Sequence, residues 1–372
     1  SRDDELRDAT AVRFGMREFT IRGDKFLLNG KPIILKGMLQ QGMYPRTLIY
    51  PDTREMAEKE LHLLKDNGFN FMRAHLRPTN PYYLDLCDEL GILVAAEPAI
   101  GWISNTPETE RRCRNEVEGM IRRDRNHASV IFWCLMNEAY HFRGFTMQQI
   151  KGLTSRIARG ARKLDATRLL MDTSGGGGGP SDSSGGTDIM LPNSTDTAEM
   201  ADSHAYCALP LDAQGIDNYR SMGVKGMPLF VSEYGAPELP PDYRKVMKGY
   251  TPKERKLGLE DYQLHQDFYD SLKDCFQRAK LKSTLGSADK LIEDINVIRA
   301  EDMRLVTSAM RTNPTLAGLT FCQLADASGE LFGATDVWRE PKPVFQVLVD
   351  ACKTPLLVPA MDKRVIEVGA KA

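Results

Sequence analysis

No run of about eighteen apolar residues occurs in this sequence, so no helix that spans a bilayer is predicted. An excess of one charge is also missing. The 49 basic and 51 acidic side chains leave a formal net charge of −2, which gives no electrostatic footprint for nucleic acid or an anionic membrane. Paired cysteines are missing too. The seven cysteines, an odd number, are scattered without a Cys-x-x-Cys, and several fall in apolar runs where a thiol acts as a small hydrophobe. Neither a disulfide framework nor a zinc site is expected from them. No secretory leader pattern is read in the first residues, no compartment is assigned, and no internal repeat is evident. What the chain does have is 372 residues, 42% of them hydrophobic and 27% charged. That suffices for a sizeable core and suits an α/β barrel of about 250 residues with insertions.

Residues 12–32 read as an introductory β-ribbon, with Phe19, Ile21, Phe26 and Leu28 about the turn Gly23-Asp24 and a second turn at Asn29-Gly30. Eight short apolar runs follow, at 33–38, 69–73, 92–96, 130–136, 168–171, 200–206, 228–231 and 316–321. Helical patterns separate most of them. Asp52 with Glu55 resembles a capping box ahead of Ala57, Leu61 and Leu64; Tyr83, Cys87 and Leu90 share a face that stops at Gly91; Met147, Ile150, Ile157, Ala161 and Leu164 form a longer stripe. Alternation of strand and helix implies a parallel sheet, and eight units imply closure into a (β/α)₈ TIM barrel over residues 33–352. Residues 1–32 are a linker plus the ribbon, and 353–372 a tail that starts a further β element at Leu356–Val358 and Val365–Ile366. Two insertions break the rhythm. Residues 174–186 (SGGGGGPSDSSGG) read as a mobile loop, with no Lys-Ser/Thr ending to suggest phosphate binding. Residues 240–313 read as a long, charged helical excursion on the rim after the seventh strand.

Function in such barrels gathers at the carboxyl ends of the strands. There the second run ends in Arg73, the third in Glu97, the fourth in Asn137-Glu138 and the seventh in Ser232-Glu233. A carboxylate directly after a buried strand is costly unless it is partnered or used. One such glutamate is as readily a rim carboxylate in water or in an ion pair; several on different strands weaken that reading. Two opposed carboxylates are what glycoside hydrolysis needs, one to protonate the departing oxygen and one to attack the anomeric carbon.

The segments IFWCLMNE (131–138) and PLFVSEYG (228–235) resemble the two active-site motifs of glycoside hydrolase family 2, which contains β-galactosidases, β-glucuronidases and β-mannosidases. FLLNGKP (26–32) resembles that family's ribbon, GFNFMR (68–73) its second strand, YLDLCDELG (83–91) the following helix, and EPKP (340–343) the region past its eighth strand. The resemblance covers roughly residues 12–350, and its strength lies in the ordered set. It implies a retaining β-glycosidase, β-galactosidase-like, acting by double displacement without a cofactor. Glu138 would be the acid/base, with a pKa raised by burial and the neighbouring carboxylate, and Glu233 the nucleophile. Arg73 would orient Glu233 and keep it ionised, Asn137 would bind the sugar 2-hydroxyl, and Tyr206 would contact the nucleophile. His75 and His204, at strand ends, either touch sugar hydroxyls or are structural. Trp102 either stacks on a sugar or lines the rim. Glu97 matches a glutamate that binds a divalent ion in some relatives, but Pro98–Trp102 lacks the companion pattern, so no metal is expected. The resemblance also implies β-sandwich domains beside the barrel in a longer parent chain, with an isolated barrel less active.

Two strands depart from the family pattern. Gln40 and Gln41 stand in the first strand where many members have Asn and His that recognise the sugar, which makes Gln40 a candidate contact. Cys322 stands where a tryptophan commonly floors the subsite, leaving Phe321 or Trp338 as substitutes, or no floor. No Asn-x-Lys lies near the eighth strand, which disfavours uronates. Competing readings are a catalytically silent carbohydrate-binding barrel and a metal-dependent hydrolase built on Glu97, His75 and His204.

Overall fold

The computed structural model describes residues 9–175, 200–206, 209–237 and 239–358. The ribbon comes first. Strands β1 (Phe19–Arg22), β2 (Lys25–Leu28) and β3 (Lys31–Ile33) pair antiparallel, and Arg22 faces Lys25 across the two-residue turn. Gly23 and the pair Asn29-Gly30 take the positive φ that such tight turns require.

Eight strands then form one parallel sheet: β4 (Leu35–Gln40), β5 (Phe71–Ala74), β6 (Leu93–Ala96), β7 (Val130–Cys134), β8 (Leu169–Met171), β9 (Ala201–His204), β10 (Leu229–Tyr234) and β11 (Leu316–Phe321). Their order is β8-β7-β6-β5-β4-β11-β10-β9, so β11 returns beside β4 as a barrel requires. At the remaining seam, between β8 and β9, Gly175 N–H donates to Asp202 Oδ2 at 2.5 Å and Ser174 Oγ lies 2.9 Å from His204 Nε2. Nearly every residue of the eight strands is buried, as expected where one face meets the barrel interior and the other meets helices. The eight apolar runs of the sequence correspond one-to-one with these strands.

The helices pack outside. α1 (Arg54–Asp66) is capped by Thr53, which accepts from Met56 N–H, whereas Asp52, the expected cap, bonds Arg46 at 3.2 Å. α2 (Pro81–Leu90) stops at Gly91 in the left-handed region, as read from the sequence. α3 (Thr109–Asp124), α4 (Met147–Leu164) and α5 (Ala213–Ser221) continue the ring. The excursion after β10 contains α6 (Tyr243–Lys248), α7 (Pro252–Leu257), α8 (Glu260–Arg278), α9 (Lys282–Leu285) and α10 (Ala288–Arg311). Only its first part is an addition, and it packs on the start of α10 through Tyr243, Tyr269 and Ile292. α10 packs against α5 and α11 (Pro343–Ala351) and is the barrel's own outer helix. Leu356–Val358 carry no strand, while Val365–Ile366 and most of the glycine-serine stretch lie outside the described residues.

The amino-terminal end of the barrel is filled by phenylalanine. Phe71, Phe132 and Phe230 meet with ring centroids 5.4–5.7 Å apart, and Phe19 and Phe26 of the ribbon join the same cluster from below. Room for these rings comes from glycine: a Cβ on Gly37 would fall 2.6 Å from the Phe71 ring, and one on Gly318 2.7 Å from Phe230. Each of the three inner rings is fully buried. Truncating any one to alanine would cost about 3–5 kcal/mol.

Candidate active site

The strands that carry the phenylalanine plug carry charge at their other ends. On β5, two residues beyond Phe71, Arg73 points into the barrel and is fully buried. On β10 the register shifts between Val231 and Glu233 against β9, and between Val231 and Tyr234 against β11. Strict alternation from Phe230 would turn Ser232 and Tyr234 inward. The irregularity instead sends Tyr234 outward against Phe321 and Thr307, and gives Glu233 an inward position beside Ser232. Beyond β7, Asn137 N–H donates to Ile100 O and Glu138 N–H to Ser174 O, so the turn is pinned to the chain after both neighbouring strands. Glu138 itself adopts a left-handed backbone (φ 45, ψ 52), a conformation that costs a non-glycine residue roughly 1–2 kcal/mol. Leu76, Trp102 and Ser328, past the ends of β5, β6 and β11, share the positive φ.

Arg73 organises the centre. Its Nη1 donates to Glu233 Oε1 at 2.7 Å; its Nη2 donates to both oxygens of Glu97 at 3.0 and 3.1 Å and to Asn137 Oδ1 at 2.6 Å. His75 Nδ1 lies 3.2 Å from Glu97 Oε2. Tyr206 donates to the other oxygen of Glu233 at 2.8 Å, and burial together with the nearby thiol and carboxylate holds its hydroxyl well above the ordinary phenol range. The Glu97 carboxyl is pulled down to about 2, because Arg73 and His75 outweigh its burial. With the guanidinium and the imidazole against Glu97, the arrangement does not fit a divalent ion there, and the Arg73 guanidinium has His204 at Nη1 and the Glu97–His75 pair at Nη2.

His204 stands between the two candidate carboxylates. Its Nδ1 is 2.7 Å from Glu138 Oε1 and 3.3 Å from Glu233 Oε2, and one donor atom of each of the three residues lies within 4.8 Å of the others. This reverses one expectation. The Glu138 carboxyl lies below its ordinary value: burial pushes it up, but the hydrogen bond and charge of His204, with His141 and Tyr140 adding to them, pull it down further.

Other candidates are placed as follows. Trp102 is 53% exposed on the rim, its ring 6.5 Å from that of His141 and nearly parallel to it, and His141 Nε2 is 3.8 Å from Glu138 Oε2. Gln40 is not brought to the carboxylates; its amide donates to Tyr44 and Glu60 in a separate network. Neither proposed substitute for the strand-8 tryptophan reaches the centre. Phe321 packs in the core, and Trp338 meets the Tyr250 ring edge to face and donates to Val246 O. The position is held by the small Cys322 thiol, set against Tyr206 and pushed up by burial and by Glu233.

Sequence reading missed two features of this site. Ser174, at the end of the β8 segment, hydrogen-bonds His204 and Ser232. Glu330, in the loop after β11, accepts from the Gln41 amide and is pushed up by lost solvation and, in part, by the charge of Glu233. The glutamine at 41 was the available signal, since it departs from the family pattern at a sugar-recognising position.

The family model for "Glycosyl hydrolases family 2, TIM barrel domain" matches residues 19–268, more than half of the chain. The chain belongs to glycoside hydrolase family 2. A β-galactosidase from Pseudoalteromonas haloplanktis is 32% identical over 142 residues, covering 36% of this chain and 14% of that protein. Among solved structures, the family 2 β-galacturonidase of Eisenbergiella tayi bound to galacturonate shares the fold at TM-score 0.64 and 21% identity, over 91% of this chain and 54% of that one. The β-glucuronidase of Parabacteroides merdae does so at TM-score 0.65 and 20% identity, over 94% and 41%. The family 2 barrel described here thus spans about half the length of such structures, and the comparison supports its fold.

Proposed function

We propose that this family 2 barrel is a retaining β-glycosidase that removes terminal β-linked sugars, with Glu233 as nucleophile and Glu138 as acid/base. The observation that carries the reading is the pair of carboxylates on β10 and after β7, each with an oxygen in the same 4.8 Å cluster. Such closeness suits direct attack by a carboxylate, which needs the two groups about 5–5.5 Å apart, better than the wider gap that admits a water. Arg73 and Tyr206 each donate to one oxygen of Glu233, which holds it aimed for attack. Asn137, held by Arg73 beside the same carboxylates, would meet a sugar hydroxyl. Trp102, beyond Glu138 and next to His141, offers a face to the leaving group.

For the sugar, the site favours a neutral pyranose. Glu330 adds a third carboxylate near Glu233, where a uronate would meet like charge. A sugar hydroxyl could instead donate to it, and this supports a β-galactosidase-like specificity over that of the uronidases whose fold is shared. The silent-barrel alternative has the altered first and eighth strands in its favour and the assembled Arg73–Glu233–Glu138 set against it.

The test is turnover of aryl β-galactosides, mannosides, glucosides and glucuronides, with Glu233→Ala as control. Turnover is expected to be lowest for the glucuronide. The variant should lose on the order of 10⁴-fold or more in kcat, and azide should restore product as the α-glycosyl azide. Near-native turnover by Glu233→Ala would remove the assignment, and no turnover of any sugar by the unaltered chain would favour the silent barrel.

A further inference from the structure

Resting on the glycosidase reading above, we propose that His204 is a positioning residue that stores the proton Glu138 delivers to the leaving group. The position of the ring carries the inference. Its Nδ1 faces carboxylate oxygens of Glu138 at 2.7 Å and Glu233 at 3.3 Å, and carboxylates only accept, so Nδ1 carries hydrogen. On the other side Ser174 Oγ lies 2.9 Å from Nε2 and 2.8 Å from Ser232 Oγ, and Ser203 O lies 3.3 Å beyond Ser232 Oγ. In the proposed state these hydrogen bonds run in one direction, Nε2–H to Ser174, Ser174 to Ser232 and Ser232 to Ser203 O, which makes the ring an imidazolium.

The surroundings agree. The groups facing His204 are Glu138 after β7, Glu233 on β10, Asp202 on its own strand and Arg73 on β5, whose Nη1 lies 3.5 Å from Nε2. The three carboxyl groups favour the cation, and Arg73, which can only donate, opposes it at Nε2. His204 accordingly titrates above its ordinary value of 6.5 in spite of its burial, with Glu233 and Glu138 as the largest opposing causes. The ring cannot swing towards β8, because Gly175 packs against it so closely that a Cβ there would fall 2.8 Å from Nδ1.

The step balances. The Nδ1–H bond breaks as Glu138 Oε1 takes the proton, and Glu138 passes it to the glycosidic oxygen as the anomeric carbon–oxygen bond breaks and Glu233 bonds to the anomeric carbon. The leaving alcohol departs neutral, His204 is left neutral, and the charge of the site is unchanged. When water later attacks the anomeric carbon, Glu138 takes its proton and returns it to Nδ1. The arrangement keeps a proton beside Glu138 at neutral pH, where a carboxyl alone would have lost it.

His204→Asn keeps an amide donor near Glu138 but has no proton to give. On the sugar preferred in the aryl glycoside panel, the basic limb of kcat/KM should move to lower pH by about one unit or more. The loss at pH 8 should be at least about tenfold greater for the methyl glycoside, whose leaving group needs protonation, than for the 2,4-dinitrophenyl glycoside. An unmoved limb with no dependence on the leaving group would overturn the inference while leaving the glycosidase reading intact. Nitrogen NMR of His204 in the unaltered chain gives a reading independent of activity: both ring nitrogens should be protonated at pH 7, and a neutral ring would overturn the inference. An unaltered chain that turns over no glycoside removes the glycosidase reading and this one together.

Discussion

Among the described residues two guanidinium groups lie fully buried, Arg73 and Arg339, and they are surrounded very differently. Arg339 donates to Glu60 Oε1 at 2.6 Å, to Val337 O at 2.6 Å and to Met43 O at 2.9 Å, and lies over the Tyr44 ring. The other oxygen of Glu60 accepts from Tyr44, Tyr83 and Gln40. No buried nitrogen or oxygen of these two side chains is left without a partner. Arg73 has the same type of partner in Glu97, but its second carboxylate, Glu233, also faces Tyr206 and His204, and Arg73 Nε, Ser203 Oγ and Gln323 Oε1 are buried with no partner among the described residues. A saturated network holds α1 to the loop after β11. An unsaturated one at the carboxyl ends of the strands keeps polar capacity for something else.

The sharpest way to break this comparison is to remove each cation. Arg339→Met and Arg73→Met should each destabilise by about 3–5 kcal/mol, since a buried carboxylate is left without its partner. Denaturant midpoints measure this. The difference should show in turnover per folded molecule. Arg339→Met should retain it within about threefold, whereas Arg73→Met should lose about 10²–10³-fold in kcat/KM, the usual loss when one preorganised donor to the reacting centre is removed. Equal losses of turnover would mean that both networks are merely structural, or that both belong to the site.

Acid separates them less strongly. Glu97, held down to about 2 against an ordinary value of 4.5, is stabilising while ionised. Its folded value is depressed, so its contribution is complete above about pH 4.5 and is lost as pH falls towards 2. The amount is on the order of 3 kcal/mol. Chemical denaturation followed from pH 6 to pH 2.5 should show that loss, and Glu97→Gln should flatten it. A variant whose stability falls with acid as steeply as the parent's would place the acid sensitivity elsewhere.

Much of this comparison was legible in the sequence. The eight apolar runs gave the strands because a parallel strand buried on both faces must be apolar throughout, and Arg73, Glu97, Glu138 and Glu233 stood out because each ends such a run. Alternation, however, assumes a regular ladder. The shift within β10 that gives both Ser232 and Glu233 inward positions has no one-dimensional signal. Gln40 was assigned to the sugar by strand position, but its neighbours Tyr44 and Glu60 claim its amide, and Glu60 comes from a helix that periodicity marks only as core. The sign of the Glu138 shift failed for a related reason. Two carboxylates brought close predict a raised value, and only coordinates reveal an imidazole set between them.

The smallest expected effect tests where the unsaturated region ends. Trp102 shares the positive φ of the other residues past strand ends, yet 53% of it is exposed, and its ring contact is with His141 rather than with the core. If the open network extends outward past Glu138 to a leaving-group position, Trp102→Ala should lower kcat/KM for an aryl glycoside by about 2–10-fold, the 0.5–1.5 kcal/mol of one aromatic contact, and affect a methyl glycoside less. The denaturant midpoint should not fall, because an exposed ring buries little on folding, and replacing a residue held at positive φ by alanine exchanges one strained side chain for another. Loss of stability without loss of aryl preference would make Trp102 a rim support, and the functional region would then stop at Glu138.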